Sequence, residues 1–202
     1  MEKKIITISR QFGSGGRTIG RLVAEKLGIP FYDKELVDHI ALESGFAPHY
    51  IEENGEHAPG ISPFSYAMTH QGVPGVMNGL STADFLWNIQ CSVILQIAEK
   101  GPCVIVGRNA DYILKDRKDC LHTFIHADTA FRADRIVRLY GESEKSPKAR
   151  LQEKDKRRKV NYKHYTGRVW GASENYDLCL NSSALGVEAC ADIIVSVIKN
   201  RK

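Results

Sequence analysis

Residues 5 to 20 read IITISRQFGSGGRTIG: an apolar run, three glycines within four positions (Gly13, Gly15, Gly16), then Arg17, Thr18 and the start of a helix-periodic stretch. A strand that turns through glycines straight into a helix is the opening unit of parallel α/β folds that bind nucleotides. Two loops share this outline. The dinucleotide fingerprint G-x-G-x-x-G fails on spacing, because counted from Gly13 its third glycine falls on Thr18, and counted from Gly15 its second falls on Arg17. The phosphate loop G-x-x-x-x-G-K-[ST] places its second glycine at Gly16, its lysine slot at Arg17 and its hydroxyl at Thr18, with Gln11 where its first glycine belongs.

A helix N-terminus offers free backbone N–H groups and the positive end of the helix dipole, and glycines let an anion approach them. In that chemistry Thr18 can ligate a magnesium ion bridging phosphates, and Arg17 can supply the charge usually carried by lysine. The bland alternative is a tight turn in which glycine serves backbone geometry alone.

Strand and helix signals alternate through most of the chain, the pattern of a parallel sheet with helices on both faces. Strands are expected at 4–9, 29–33, 102–107, 120–127 and 176–183, and helices at 18–28, 34–45, 81–101, 128–141 and 186–200. Ser81 with Asp84, and Asp128, are the expected helix caps. From Gly45 to Gly79 four prolines and six glycines break the pattern, a length that suits either a functional flap or a disordered loop.

A chain of 202 residues with 43% hydrophobic content builds one domain. No signal-peptide pattern or ~18-residue apolar run is present, so a cytoplasmic protein without a membrane partner is expected. The five cysteines are odd in number and far apart, and are expected reduced, with no metal site. The net charge of +4 is uneven: between Lys145 and Arg168 ten Lys and Arg stand against Glu153 and Asp155, and the remainder is mildly acidic. That places one local anion site on the molecule instead of a surface coated for nucleic acid. Within the segment, helical from about 146 to 163, Arg150, Lys154, Arg157 and Arg158 fall on one helical face. Such a mobile basic helix can close over a transferring phosphoryl group and exclude water. An ordinary solvated helix is the alternative, and Tyr162, Tyr165 and Trp170 leave base stacking or inward packing open. "GRNAD" (107–111) follows the third strand at the sheet edge where ligands bind, which makes Arg108 a candidate phosphate clamp or a structural ion pair.

In this order, "GSGGRTIG", "FYDKEL", "VIVGRNAD", "HADTAFRADR", "DKRR" and "YDLCLNSSALGVE" resemble the cytidylate kinase-like family, small nucleoside monophosphate kinases of the P-loop fold, over essentially the whole chain. The resemblance implies a single P-loop NTPase domain over 1–202, a five-stranded parallel sheet between helices, with an acceptor-binding flap at about 45–80 and a basic lid at about 142–172. It implies an ATP- and Mg²⁺-dependent kinase, a transferase that moves a terminal phosphoryl group to CMP, dCMP or a related small acceptor. Its partners would be small-molecule nucleotides, and a homo-oligomer is compatible with it. Gly13, Ser14, Gly15, Gly16, Arg17 and Thr18 would hold the donor phosphates and metal, with Arg132 and Arg135 near the donor. Asp33, Lys34, His39, Arg108, Asn109, Asp155 and Arg158 would meet the acceptor, and Arg17, Arg157 and Arg158 would serve transfer.

The chain departs from that pattern at several positions. Arg17 stands for the loop lysine, Gln11 for its first glycine, Asn109 for an aspartate, Lys34 and His39 for a serine and an arginine, and Leu151 for a lid arginine. Two rivals follow: a P-loop protein that binds nucleotide without turnover, and a nucleic-acid-binding protein that uses the arm from Lys145 to Trp170.

Overall fold

The computed structural model describes residues 4–54 and 80–200, so most of the expected flap, 55–79, lies outside the described residues. Five strands form one sheet: β1 (Ile5–Arg10), β2 (Phe31–Tyr32), β3 (Cys103–Val106), β4 (Cys120–His126) and β5 (Leu178–Asn181). Their order is β2-β3-β1-β4-β5 and every pairing is parallel. β1 lies at the centre and alternates its two faces, as the period of a strand dictates. Ile6 and Ile8 join a core with α1 (Gly16–Leu27), while Ile5 joins one with α2 (Lys34–Ser44) and α3 (Pro48–Asn54). The long helix α4 (Thr82–Lys100) also packs on the Ile5 side, through Leu86, Val93, Ile94 and Ile97.

The second half continues through the short α5 (Ala110–Ile113), α6 (Thr129–Tyr140), the basic helix α7 (Pro147–Thr166), the short α8 (Ser182–Leu185) and the closing α9 (Val187–Lys199). α9 covers the Ile6 face through Cys190, Ala191 and Ile194. Beneath α7 lies a smaller aromatic cluster of Phe124, Tyr162, Trp170 and Tyr176.

Three differences from the expected elements have local causes. α1 begins at Gly16, two residues early, because the glycine turn itself winds into the helix with Gly15 as its cap. Residues 48–54 form α3 inside the expected flap; Pro48 is tolerated at the first helical position, where its missing N–H has no partner to lose, and Ile51 anchors the helix in the core. Ser81 caps α4 by accepting from the Asp84 amide (3.1 Å), but Asp128 makes no side-chain cap; its own amide donates to Ser183 Oγ (3.0 Å) instead.

The strand order reverses at β1: the chain first builds β2 and β3 on one side of it, then crosses to β4 and β5 on the other. Ligands of open parallel sheets bind outside the carboxyl ends of the strands at such a point. Here it brings together the loop after β1 and the loop after β3.

Candidate active site

At the switch point a cavity of about 340 Å³ opens over the glycine loop. Gly13 and Gly15 take left-handed backbone angles (φ 80° and 83°) that only glycine adopts without strain. The first bond of α1 runs from the Ile19 amide to the Gly15 carbonyl (2.9 Å), so the amides of Gly16, Arg17 and Thr18 have no intrahelical acceptor. Those amides and the helix dipole face a cavity whose described lining holds seven Lys and Arg against Asp33 and Glu52. That balance of charge suits a multiply charged anion.

The second loop is strained in a way that points the same way. Gly107, Arg108 and Asn109 all have positive φ (75°, 57° and 54°), and for arginine and asparagine that conformation costs about 1–3 kcal/mol each. Buried Gln90 holds it in place by donating to the Arg108 carbonyl (2.9 Å). Arg108, itself 8% exposed, lines the cavity and donates from Nη1 to the Ile51 carbonyl (3.1 Å), which ties α3 to the sheet edge.

The expected site residues divide into those that reach this cavity and those used elsewhere. Gly13, Gly15, Gly16, Arg17, Thr18, Asp33, Lys34, Arg108, Arg135 and Arg158 line it. Ser14 does not: it is fully buried and its hydroxyl donates to the carbonyls of Gln11 (2.9 Å) and Ile125 (3.1 Å), so it braces the loop from behind. Arg132 and Asp155, expected at donor and acceptor, instead pair with each other at 2.6 Å, each 8% exposed. Asp155 also accepts from the Phe12 amide (2.8 Å), so the pair fastens α7 to α6 and to the glycine loop. His39 lies on the exposed side of α2 beside the Tyr32 ring. Asn109 donates to Asn161 of α7 (2.8 Å), and Arg157 pairs outward with Glu153 (2.6 Å).

The basic face of α7 is therefore divided. Lys154 and Arg158 line the cavity, whereas Arg150 donates to the Gly141 carbonyl (2.8 Å). The aromatic residues pack inward: Tyr162 is fully buried, and Tyr165 stacks on Trp87 at 4.3 Å and 7°.

Arg17 and Thr18 are both engaged within the cavity. Arg17 leaves the first turn of α1 and pairs with Asp33 through Nε (2.5 Å) and Nη2. Thr18 Oγ1 accepts from Arg135 Nη2 (2.8 Å). Magnesium keeps several waters and is held largely through substrate phosphates, and Thr18 Oγ1 is the hydroxyl at the helix start that would supply a protein oxygen to such an ion. The amide cradle and its cations fit a triphosphate chain.

Two features escaped sequence reasoning. Phe12 and Tyr140 stack at 5.9 Å and 19° and line the cavity on its α6 side, a contact between residues 128 apart in sequence that no local pattern announces. Behind the Arg108 loop, buried Asp111 accepts from Ser9 Oγ (2.9 Å) and Tyr162 OH (2.7 Å), joining β1, α5 and α7. Its polar neighbours on β1 were readable only as breaks in an apolar run. Burial raises the Asp111 carboxyl above its ordinary value, against the opposing pull of the Tyr162 and Ser9 hydrogen bonds. A carboxyl raised on folding contributes stability below its unfolded value of about 3.9, and that contribution is lost as pH rises through the folded value. The melting temperature of Asp111→Asn, minus that of the parent, should therefore increase with pH across this window, as a melting series from pH 4 upward would read. A flat difference would mean the carboxyl is ionised in the fold as it is in the unfolded chain.

Comparison with known proteins agrees with this geometry. The sequence model described as the cytidylate kinase-like family matches residues 5–184. A cytidylate kinase of Archaeoglobus fulgidus is 25% identical over 203 residues, covering 98% of this chain and 96% of that protein. Among solved structures, an uncharacterized protein from Eubacterium ventriosum is 28% identical, with a TM-score of 0.72 over 98% of this chain and 100% of that one. A shikimate kinase from Acinetobacter baumannii, in complex with shikimate, shares the fold at 16% identity and a TM-score of 0.57, covering 99% and 95% of the two chains. No helix among the described residues is long and apolar enough to cross a membrane.

Proposed function

The chain belongs to the cytidylate kinase-like family, and from that premise we propose that it transfers the terminal phosphoryl group of ATP to a small phosphorylated acceptor, a nucleoside monophosphate such as CMP or dCMP. The observation that carries this is the meeting, in one cavity at the switch point, of the helix N-terminal amides with cations from the β3 loop, α6 and α7. Phosphoryl transfer asks the protein for little covalent chemistry and much positioning and charge. The Thr18 hydroxyl would help to hold a magnesium ion, whose positive charge would favour the transfer.

The protein's own groups have distinct tasks. The amides of Gly16 to Thr18 hold phosphate oxygens, and Arg135 lies over Gly15 where it can turn from Thr18 to the donor. The Phe12–Tyr140 pair offers an aromatic wall for the donor base. Arg108 and Lys34 flank the side nearer α2 and α3, where an anionic acceptor binds. Arg158 spans the two halves: its Nη1 donates to the Arg10 carbonyl (3.1 Å), which holds the guanidinium beside the loop.

The test is a phosphoryl-transfer assay with ATP and magnesium against a panel of nucleoside monophosphates. Arg158→Ala is expected to lower kcat about 100-fold with a smaller change in KM, as loss of one donor to a developing charge does. Turnover on no nucleotide, with magnesium nucleotide still bound, would favour a second reading: a nucleotide-binding regulatory protein. The engagement of Arg17 by Asp33 and of Thr18 by Arg135 is what favours that rival.

A further inference from the structure

We propose that Arg10, the last residue of β1, is the side chain that grips the donor phosphates, in the place a phosphate-loop lysine would occupy, and that Arg17 is not. The inference rests on the phosphotransferase reading and names the residue that makes its central contact.

The geometry of Gly16 and Gly107 carries it. A Cβ added at Gly16 would come within 2.6 Å of Arg10 Cβ and 2.9 Å of its Cγ. A Cβ at Gly107 would land on the Arg10 guanidinium. Two glycines, one opening α1 and one opening the strained loop after β3, thus leave a slot shaped to this one side chain. It runs from the end of the central strand to a point between the helix N-terminus and Arg108. Arg10 lines the main cavity and also a smaller one that it shares with Arg108, Asn109 and Arg158.

The phosphate-loop lysine follows directly on the second glycine at the helix start. Here the cap is Gly15 and the first helical residue is Gly16, which has no side chain. The space a side chain at 16 would enter is filled by the stem of Arg10. The cation has in effect moved from the first turn of the helix to the strand six positions earlier. Arg17, one residue further on, is engaged otherwise: its side chain is 44% exposed, and its Nε and Nη2 both meet Asp33 Oδ2. A guanidinium at the Arg10 position can bridge two phosphate oxygens with its fork, a geometry an ammonium lacks.

The experiment is calorimetric titration of the intact protein with magnesium AMP-PNP and, separately, with inorganic tripolyphosphate, alongside thermal melting. Arg10→Ala is expected to weaken both ligands about 10- to 100-fold, the worth of a charged hydrogen-bonded contact, and Arg17→Ala to weaken them less. Gly16→Lys alone should not help, because the lysine meets the Arg10 stem. Arg10→Gly combined with Gly16→Lys should recover most of the binding by restoring the ordinary arrangement. If Arg10→Ala melts below the assay temperature, Arg10→Lys and the double variant carry the same comparison. Parent protein that binds while Arg10→Ala binds equally well, or an Arg17→Ala loss larger than that of Arg10→Ala, overturns the assignment alone. Parent protein that binds neither ligand overturns the phosphotransferase reading as well.

Discussion

Asp155→Ala should melt about 10 °C below the parent protein. The carboxylate holds three things at once: the Arg132 guanidinium (2.6 Å), the Phe12 amide of the glycine loop (2.8 Å) and, through its own helix, the inner face of α7. Arg132 is 8% exposed and donates more weakly to the Phe12 carbonyl (3.3 Å), so without Asp155 it would be a buried charge lacking a counter-ion. Removing one member of such a pair costs about 3–5 kcal/mol, and in a protein of this size each kcal/mol moves the midpoint by roughly 2–4 °C. Asp155→Asn, which keeps an acceptor for Phe12 but not the charge, should fall between. The pair Arg132→Met with Asp155→Leu should recover most of the loss, since a buried ion pair is often matched by well-packed apolar side chains. A single alanine variant melting within 2 °C of the parent would mean that water reaches Arg132 and that α7 is not fastened there.

This pair also shows where sequence reasoning stops. Of the four buried residues of α7, three, Leu151, Asp155 and Tyr162, lie on the same four- and seven-residue spacing as any buried helical stripe, and the fourth is Asn161. The resemblance to the family's lid assigns the carboxylate in this stripe, Asp155, to the acceptor, and local spacing offers nothing against that. The structure shows that the stripe is the anchor, and that Lys154 and Arg158, on its edge, are the members that reach the cavity. Charge alone cannot separate a buried strut from a ligand contact, since both put arginine and aspartate close together. What separates them is which way each Cβ points once the helix is docked.

The glycine loop was legible for a different reason. A strand, glycines and a helix start are all local signals, and they located the five strands and the edge of the sheet over which the cavity opens. Both flanking arginines line the cavity, and how each is held there was not local. Arg10 and Arg17 flank the same loop and differ only in launch direction: Arg10 from a strand end under Gly16, Arg17 from a helix turn towards Asp33. Spacing to the motif favoured Arg17, whereas the register in which α1 actually begins leaves its first position to a glycine. The strain at Arg108 and Asn109 was equally invisible, because a positive φ in a residue other than glycine is imposed by its surroundings.

Gly13→Ala should weaken nucleotide binding about 100-fold. At φ 80° an alanine is strained by about 1–3 kcal/mol. A Cβ there would also sit 2.8 Å from the Arg132 carbonyl oxygen and 2.9 Å from Ile136 Cγ2. The carbonyl belongs to the backbone of α6, which Arg132 and Asp155 lock to α7, so the helix cannot yield and the loop must. Moving the loop displaces the amides that hold the phosphates, and a loss of about 3 kcal/mol in their alignment is two powers of ten in affinity. Gly28→Ala is the matched control: it has the same kind of backbone (φ 64°) at the far end of α1, with nothing within 4 Å of the added Cβ. It should lower the melting temperature slightly and leave affinity for magnesium AMP-PNP intact. If both variants bind like the parent, the turn at Gly13 is a structural corner and the phosphates lie elsewhere in the cavity; if only Gly13→Ala loses binding, the backbone of this loop is the cradle.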